Sequence, residues 1–147
     1  MANWVRIALT ALVMTAVATA VHTVESVLTT GYYMDPAYFG VWSKIMMPAA
    51  GPPPAAFYYY SIAFTFITWL IFGFVYAKLG VSTHEKNMIK NGLRFGALIF
   101  LIAGIPGTLS LYLLINLPVG LLTSWAISGL VLYLVGGVVA AKLIKPV

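Results

Sequence analysis

The chain has 147 residues, of which 62% are hydrophobic and only 7% are charged. This composition leaves no long polar segment for a soluble domain, and the lack of cysteine excludes disulfides, thiolate nucleophiles and thiolate metal ligands. The formal net charge of +5 comes from basic residues that flank apolar segments, so membrane topology explains it better than nucleic-acid binding.

Four apolar segments dominate the sequence. Each is about as long as a helix must be to cross the hydrocarbon core of a bilayer, roughly 20 residues at 1.5 Å rise per residue. They span residues 7–28, 56–79, 93–115 and 119–141. Because little sequence remains outside them, we predict an all-α, polytopic membrane protein with a single domain, residues 1–147, folded as a four-transmembrane-helix bundle.

The basic residues predict the orientation of this bundle. Seven of the eight lie before the first segment, around the connection between the second and third, or after the fourth, and Lys44 is the exception. The positive-inside rule therefore predicts cytoplasmic N- and C-termini, with the loop 30–55, between the first and second segments, facing the periplasm or the exterior.

The first segment carries a polar stripe. Side chains at three- and four-residue steps share one helix face, and a polar face is expected to look into the bundle rather than at lipid. The stripe consists of Thr15, Thr19, His22 and Ser26. Ala16 and Ala20 form a small-xxx-small pair that would allow another helix to approach closely.

A cleavable signal peptide is an alternative for the first segment. Ala18-Thr19-Ala20 is typical of a cleavage site. However, the apolar run continues to Leu28, so we expect a retained first helix.

His22 and Glu25 are the strongest candidates for a binding site. They lie three residues apart and can touch on one helix face, and an ionisable residue inside the membrane is a functional hypothesis by default. Ser26 would extend that site. The competing interpretation is that the helix ends near Glu25, which then reaches interfacial water or pairs with Lys44.

The loop 30–55 is long for a connection within a compact bundle and is strongly apolar. Asp35 and Pro36 predict a helix start, with the aspartate as N-cap and the proline at the first helical position, and Pro48 would end that helix. We therefore expect a short interfacial helix within 34–47, packed across the mouth of the bundle. Its candidate functional residues are Asp35, Trp42, Lys44, Met46 and Met47.

The methionines of this loop raise the possibility of a copper site. Thioether ligands suit Cu(I), and the loop contains Met34, Met46 and Met47. Against this, two adjacent residues point to different faces of the predicted helix, and the loop contains no histidine. We therefore predict no metal site and no cofactor from the sequence.

The last two segments carry further structural signals. Pro106 is expected to interrupt its helix, because proline has no N–H to donate and leaves a backbone carbonyl without its usual partner. Thr108 or Ser110 could bond to the carbonyls freed in this way. A broken helix can also mark a binding site. The short connection Asn116-Leu117-Pro118 predicts an antiparallel hairpin. Small residues suited to close packing are Gly92, Gly96, Ser128, Gly136 and Ala140.

Three stretches of the chain resemble bacterial four-helix integral membrane proteins of unknown function. These stretches are 31–36 (GYYMDP), 42–48 (WSKIMMP) and 112–125 (YLLINLPVGLLTSW). The resemblance covers most of the chain and implies a multi-pass protein of the bacterial inner membrane. It does not indicate an activity. Small multidrug resistance transporters also have four short helices with a glutamate in the first, but here the glutamate lies near the helix end and the 30–55 loop is too long.

The sequence favours a non-enzymatic function. Catalytic groups are few, and the small-residue faces favour helix–helix association in the bilayer. We therefore expect a homo-oligomer or an accessory subunit of a larger membrane assembly. We expect no nucleic-acid partner. The alternative is a small permease or ligand-binding membrane protein that uses His22, Glu25 and the broken helix at Pro106. A water-filled pocket that reaches His22 would favour this alternative, whereas dry packing or a Glu25–Lys44 surface pair would favour the structural function.

Overall fold

The computed structural model describes residues 2–49, 51–79 and 87–144. It is 84% helical, and no strand occurs in the described residues. Four helices are long and apolar enough to cross a membrane, which confirms the predicted bundle. They are α1 (Ala2–Leu28), α2 (Ala55–Leu79), α3 (Met88–Leu114) and α4 (Val119–Leu143). Both α1 and α3 begin five residues earlier than predicted (2 rather than 7, and 88 rather than 93).

One end of the bundle, which we call the basic end, holds the start of α1 and the end of α4. Arg6, near the start of α1, donates a hydrogen bond from Nη1 to the carbonyl oxygen of Leu143 at 3.5 Å. Lys78 lies in the last turn of α2 and Lys142 in the last turn of α4. Two other basic residues of the predicted pattern, Lys86 and Lys145, lie outside the described residues.

Aromatic rings fill the core at the basic end. Trp69, Phe72 and Tyr76 of α2 are buried together with Phe95 of α3. The ring of Phe95 meets those of Phe72 and Tyr76 edge-on, at centroid distances of 5.2 Å and 4.9 Å. Edge-to-face pairs of this kind add about 0.5–1.5 kcal/mol each beyond simple burial. The basic end is therefore closed by side chains drawn from several helices.

Small residues bring α3 and α4 into close contact. A Cβ atom at Gly92 would lie 2.5 Å from the carbonyl oxygen of Gly137, a separation that real Cβ atoms do not show. Gly96 faces the backbone of α4 at Tyr133 in the same way. Gly92 and Gly96, the small residues predicted on the third segment, thus pack against α4 within one chain. Gly136 of the fourth segment instead packs against the ring of Trp69 on α2.

Pro106 interrupts the α-helical hydrogen bonding of α3. Residues Phe100–Gly104 form a π-helical turn, in which the N–H of Ile105 donates to the carbonyl oxygen of Phe100. Proline has no N–H to donate, and a π-helical turn accommodates the resulting mismatch. The hydroxyl of Thr108 donates to the Gly104 carbonyl, one turn earlier in the same helix, at 2.9 Å. This is not a carbonyl that the missing N–H of Pro106 leaves free, so the predicted compensation by Thr108 is not what this bond provides.

The 30–55 loop begins with a helical turn, Thr30–Tyr33, and continues into a 3₁₀-helix, Pro36–Val41. Asp35 caps the 3₁₀-helix by accepting a 2.9 Å hydrogen bond from the N–H of Ala37, as predicted. The prediction that this helix continues towards Pro48 is wrong. The backbone becomes extended at Trp42 (φ −75°, ψ 142°).

A turn replaces the second half of the predicted loop helix. The N–H groups of Met46 and Met47 both donate to the carbonyl oxygen of Ser43, at 3.0 Å and 2.9 Å. The physical reason is that Trp42, after the last helical residue Val41, packs against the apolar hairpin of α3 and α4 instead of continuing the helix. The loop therefore crosses the end of the bundle opposite the basic end, which we call the loop end.

Candidate functional site

Glu25 lies buried near the C-terminal end of α1, with only 7% of its surface exposed. Its Oε1 atom accepts a hydrogen bond from the hydroxyl of Ser124 on α4 at 3.0 Å. The hydroxyl of Thr29 lies 3.2 Å from the same atom and 2.8 Å from the backbone carbonyl oxygen of Glu25, so its single proton is shared between these two acceptors. Neither partner carries a charge, and no ion pair to Glu25 occurs among the described residues. The exposed Lys44 does not pair with it, so that sequence-based alternative is not observed.

A second hydrogen bond extends this polar cluster. The indole Nε1 of Trp125, beside Ser124 on α4, donates to the hydroxyl oxygen of Tyr33 at 3.0 Å. Burial raises the pKa of Tyr33 and is the largest effect on it. The hydrogen bond from Trp125 lowers this pKa in part, and the nearby carboxylate of Glu25 raises it further. Tyr33 therefore stays neutral at physiological pH and holds the loop against α4.

Trp42 covers this cluster from the loop. Its ring lies 5.1 Å from that of Tyr33 and 6.4 Å from that of Trp125, measured between centroids. Its Nε1 atom is buried without a hydrogen-bond partner in the described part of the chain. The sequence singled out Trp42 as a loop candidate, and the structure assigns it to the packing of the loop on the bundle.

A cavity of about 740 Å³ lies beneath the loop, between α1 and α2, and we call it the loop-end cavity. It brings together most of the candidates that the sequence suggested. From α1 it is lined by His22, Glu25 and Ser26, and from the loop by Met46 and Met47. The space therefore reaches His22, and the ligand-binding or permease alternative further requires that it be filled with water.

A second cavity of about 520 Å³ adjoins the first and shares His22 and Ser61 with it. It continues along α2 as far as Trp69, whose ring belongs to the buried core. Since Trp69 lies 14 residues after the start of α2 at Ala55, the two cavities reach roughly 20 Å along that helix. They end at the aromatic core of the basic end.

Glu25 also lines a third space, a groove of about 600 Å³ between α1 and α4. The walls of this groove are mainly apolar and include Val24, Leu28 and Ile127, which are all well exposed. The carboxylate therefore lies between the loop-end cavity on one side of α1 and this apolar groove on the other.

The side chains of the polar stripe on α1 differ in whether their hydrogen-bonding groups are already used within the helix. The hydroxyls of Thr15 and Thr19 donate to carbonyls four residues earlier in the same helix, at 2.7 Å and 2.8 Å, so their hydrogen-bonding capacity is used locally. Ser26 similarly donates to the Thr23 carbonyl at 2.9 Å. His22 is exposed to the loop-end cavity and has no hydrogen-bond partner among the described residues.

The structure does not bring every sequence candidate to this site. Pro106 is exposed on α3 and lines none of the cavities that contain His22 or Glu25. Asp35 serves as the cap of the 3₁₀-helix, and Lys44 is exposed on the loop. Ser124 was not selected as a site residue from the sequence. Its only signal there was a hydroxyl one turn from Ser128 in an apolar segment.

Comparisons of the chain with protein-family models, with curated proteins and with solved structures find no match.

Proposed function

We propose that the protein is a small, non-enzymatic ligand-binding membrane protein of the permease type, and that its ligand is a cation held in the loop-end cavity. The observation that carries this proposal is the buried carboxylate of Glu25, which lines the cavity and has only hydroxyl partners. A buried charge in a membrane segment is costly unless it is paired. A cationic ligand would supply the missing opposite charge.

The other walls of the cavity suit such a ligand. His22 offers an imidazole, and Ser61 and Thr65 of α2 offer hydroxyls. Phe57 and Trp125 contribute aromatic surface, which attracts cations through the electrons of the ring face. A concave, mostly apolar space with a few polar groups is the usual form of a small-molecule site.

The proposed location is the bacterial inner membrane, with both termini in the cytoplasm and the loop-end cavity open to the periplasmic side. The distribution of basic residues supports this orientation, since Arg6, Lys78 and Lys142 lie at the basic end. The cavities end at the aromatic core of that same end, so this conformation would accept a ligand from outside.

Water accessibility tests the proposal directly, because the natural chain has no cysteine. Single-cysteine variants Ser61→Cys and Thr65→Cys should react with a charged, membrane-impermeant methanethiosulfonate added from outside. Ile67→Cys is the matched control on α2, since Ile67 is 52% exposed but lines none of the cavities described above. Equal reaction rates at the three positions would contradict a hydrated cavity.

A ligand screen completes the test. The full chain in lipid nanodiscs would be heated with a panel of organic cations, soft metal ions, amino acids and sugars. We expect at least one cation to raise the unfolding temperature of the natural chain and to have no effect on Glu25→Gln. Stabilisation by neutral compounds alone, unchanged in Glu25→Gln, would reject a cation site at Glu25.

Association within the membrane is the second candidate function. The faces of α3 and α4 that supported it are occupied within the chain, but Ala16 and Ala20 remain exposed one turn apart on α1. This pair would admit a second copy or another membrane subunit. Native mass determination in mild detergent tests this candidate, and a monomer without a copurifying partner would reject it.

A further inference from the structure

Three of the six methionines of the chain line the loop-end cavity. They are Met34, Met46 and Met47, and His22 of α1 lines the same cavity. Two other methionines lie far from it in the fold, since Met14 is fully buried in the core and Met88 begins α3 at the basic end. Half of the thioethers of the chain therefore line the same cavity as the histidine of α1.

The structure removes both objections that the sequence raised against a metal site here. Met46 and Met47 belong to a turn rather than to a regular helix, so two adjacent side chains can line one cavity. The histidine that the loop lacks is supplied by α1. Neither feature follows from residue spacing, because both depend on where the loop folds back over the bundle.

The donor set selects the class of metal. Thioethers are soft, neutral ligands that suit Cu(I), and imidazole binds copper as well. Hard and borderline divalent ions instead require clusters of carboxylates and imidazoles, and no group of three histidine, aspartate or glutamate residues that could hold a metal occurs in the described part of the chain. Three thioethers and one imidazole carry no charge, so Glu25 in the same wall would balance the charge of a monovalent cation.

We propose that the loop-end cavity binds a soft monovalent metal cation, Cu(I) or Ag(I), through Met34, Met46, Met47 and the imidazole of His22, with Glu25 as the balancing charge. This inference rests on the proposed function, since it names the ligand class of the same cavity. It also gives the loop a role: residues 34–47 would bring the sulfur ligands to a helix-borne imidazole.

Binding of Ag(I), which stands in for Cu(I) in air, is the first test. The full chain in lipid nanodiscs would be titrated calorimetrically, and bound silver would be counted by mass spectrometry. We expect one ion per chain, and binding weakened by about tenfold or more in Met46→Leu/Met47→Leu and in His22→Leu. Leucine is close to methionine in volume, so the fold should survive these changes.

The matched control is Met88→Leu, which removes an exposed methionine at the basic end and should leave silver binding unchanged. X-ray absorption at the silver edge provides a second readout. It should show sulfur neighbours in the natural chain and fewer of them in Met46→Leu/Met47→Leu. Equal silver affinity in the natural chain and in Met34→Leu/Met46→Leu/Met47→Leu would overturn the inference.

The two proposals fail in distinguishable ways. If an organic cation stabilises the natural chain but not Glu25→Gln, while silver does not bind, the metal inference is wrong and the proposed function survives. If Ser61→Cys and Thr65→Cys are also unreactive and no cation binds, both proposals are wrong. A loss of silver binding in the Met88→Leu control would likewise reject the assignment to the loop-end cavity.

Discussion

The hydroxyl of Ser124 donates a 3.0 Å hydrogen bond to Oε1 of Glu25, joining α4 to α1 across 99 positions of the chain. This bond fixes the only buried acidic side chain among the described residues at the point where the loop-end cavity and the α1–α4 groove meet. The position of the proposed counter-charge is thus set by a contact between two transmembrane helices rather than by the loop.

The first prediction removes that contact. Ser124→Ala should lower the free energy of unfolding by about 0.5–2 kcal/mol, because it leaves a buried carboxylate with one hydroxyl partner fewer in a membrane environment. The neighbouring Thr123→Val is the control, since the Thr123 hydroxyl donates to the Val119 carbonyl of its own helix and is exposed. Unfolding in mixed micelles measures both changes. Equal effects of the two substitutions would show that Ser124 does not support Glu25.

The helices could be predicted from the sequence, but the partner of Glu25 could not. Segment length and hydropathy define a membrane helix without reference to its neighbours. The pairing of Glu25 with Ser124 depends on how α1 and α4 are rotated about their axes, and this rotation is set by the packing of the whole bundle. Local spacing suggested His22 as a partner and opposite charge suggested Lys44, whereas the structure provides Ser124 and Thr29.

The second prediction concerns the contact between α3 and α4. Gly92→Ala should destabilise the protein by about 1–3 kcal/mol, because the added methyl group would collide with the backbone of Gly137 and neither helix can move freely. Gly107→Ala, on the same helix, is the matched control. No atom lies within 4 Å of a Cβ at Gly107, so the substitution should be neutral or slightly stabilising. Thermal unfolding of both variants in the same detergent compares their stabilities, and equal unfolding temperatures would contradict the predicted collision at Gly92.

The course of the loop shows a second limit of sequence analysis. Asp35 and Pro36 specify a helix start through local chemistry, and that part of the prediction is confirmed. Where the helix ends depends on a long-range contact, the packing of Trp42 beside Tyr33 and Trp125. This contact turns the chain before Pro48 and brings Met46 and Met47 to one cavity. In a continuous helix these two side chains would lie on different faces.

The third prediction is a pH dependence at Tyr33. Burial raises the pKa of this side chain above its ordinary value of about 10. The stabilising contribution of neutral Tyr33 is therefore complete below about pH 10 and is lost as the pH rises through the raised pKa. The natural chain should lose thermal stability more steeply than Tyr33→Phe in this alkaline range.

Two comparisons check the assignment to Tyr33. At neutral pH, Tyr33→Phe should be less stable than the natural chain by about 1–3 kcal/mol, because the buried indole N–H of Trp125 loses its acceptor. Tyr59→Phe is the control, since Tyr59 is 75% exposed, and it should retain the steep alkaline loss. An alkaline profile of Tyr33→Phe that matches the natural chain would refute the assignment.

The last prediction tests the orientation on which the proposed function depends. In single-cysteine variants expressed in intact cells, Gly40→Cys should react with a membrane-impermeant maleimide, because position 40 is exposed on the loop and lies outside under the positive-inside rule. Asn87→Cys, exposed at the basic end where α3 begins, should react only after the membrane is made permeable. A difference in labelling between the two positions reflects their side of the membrane, since both positions are exposed. Labelling of position 87 in sealed cells, with position 40 protected, would invert the topology and make the loop-end cavity open to the cytoplasm.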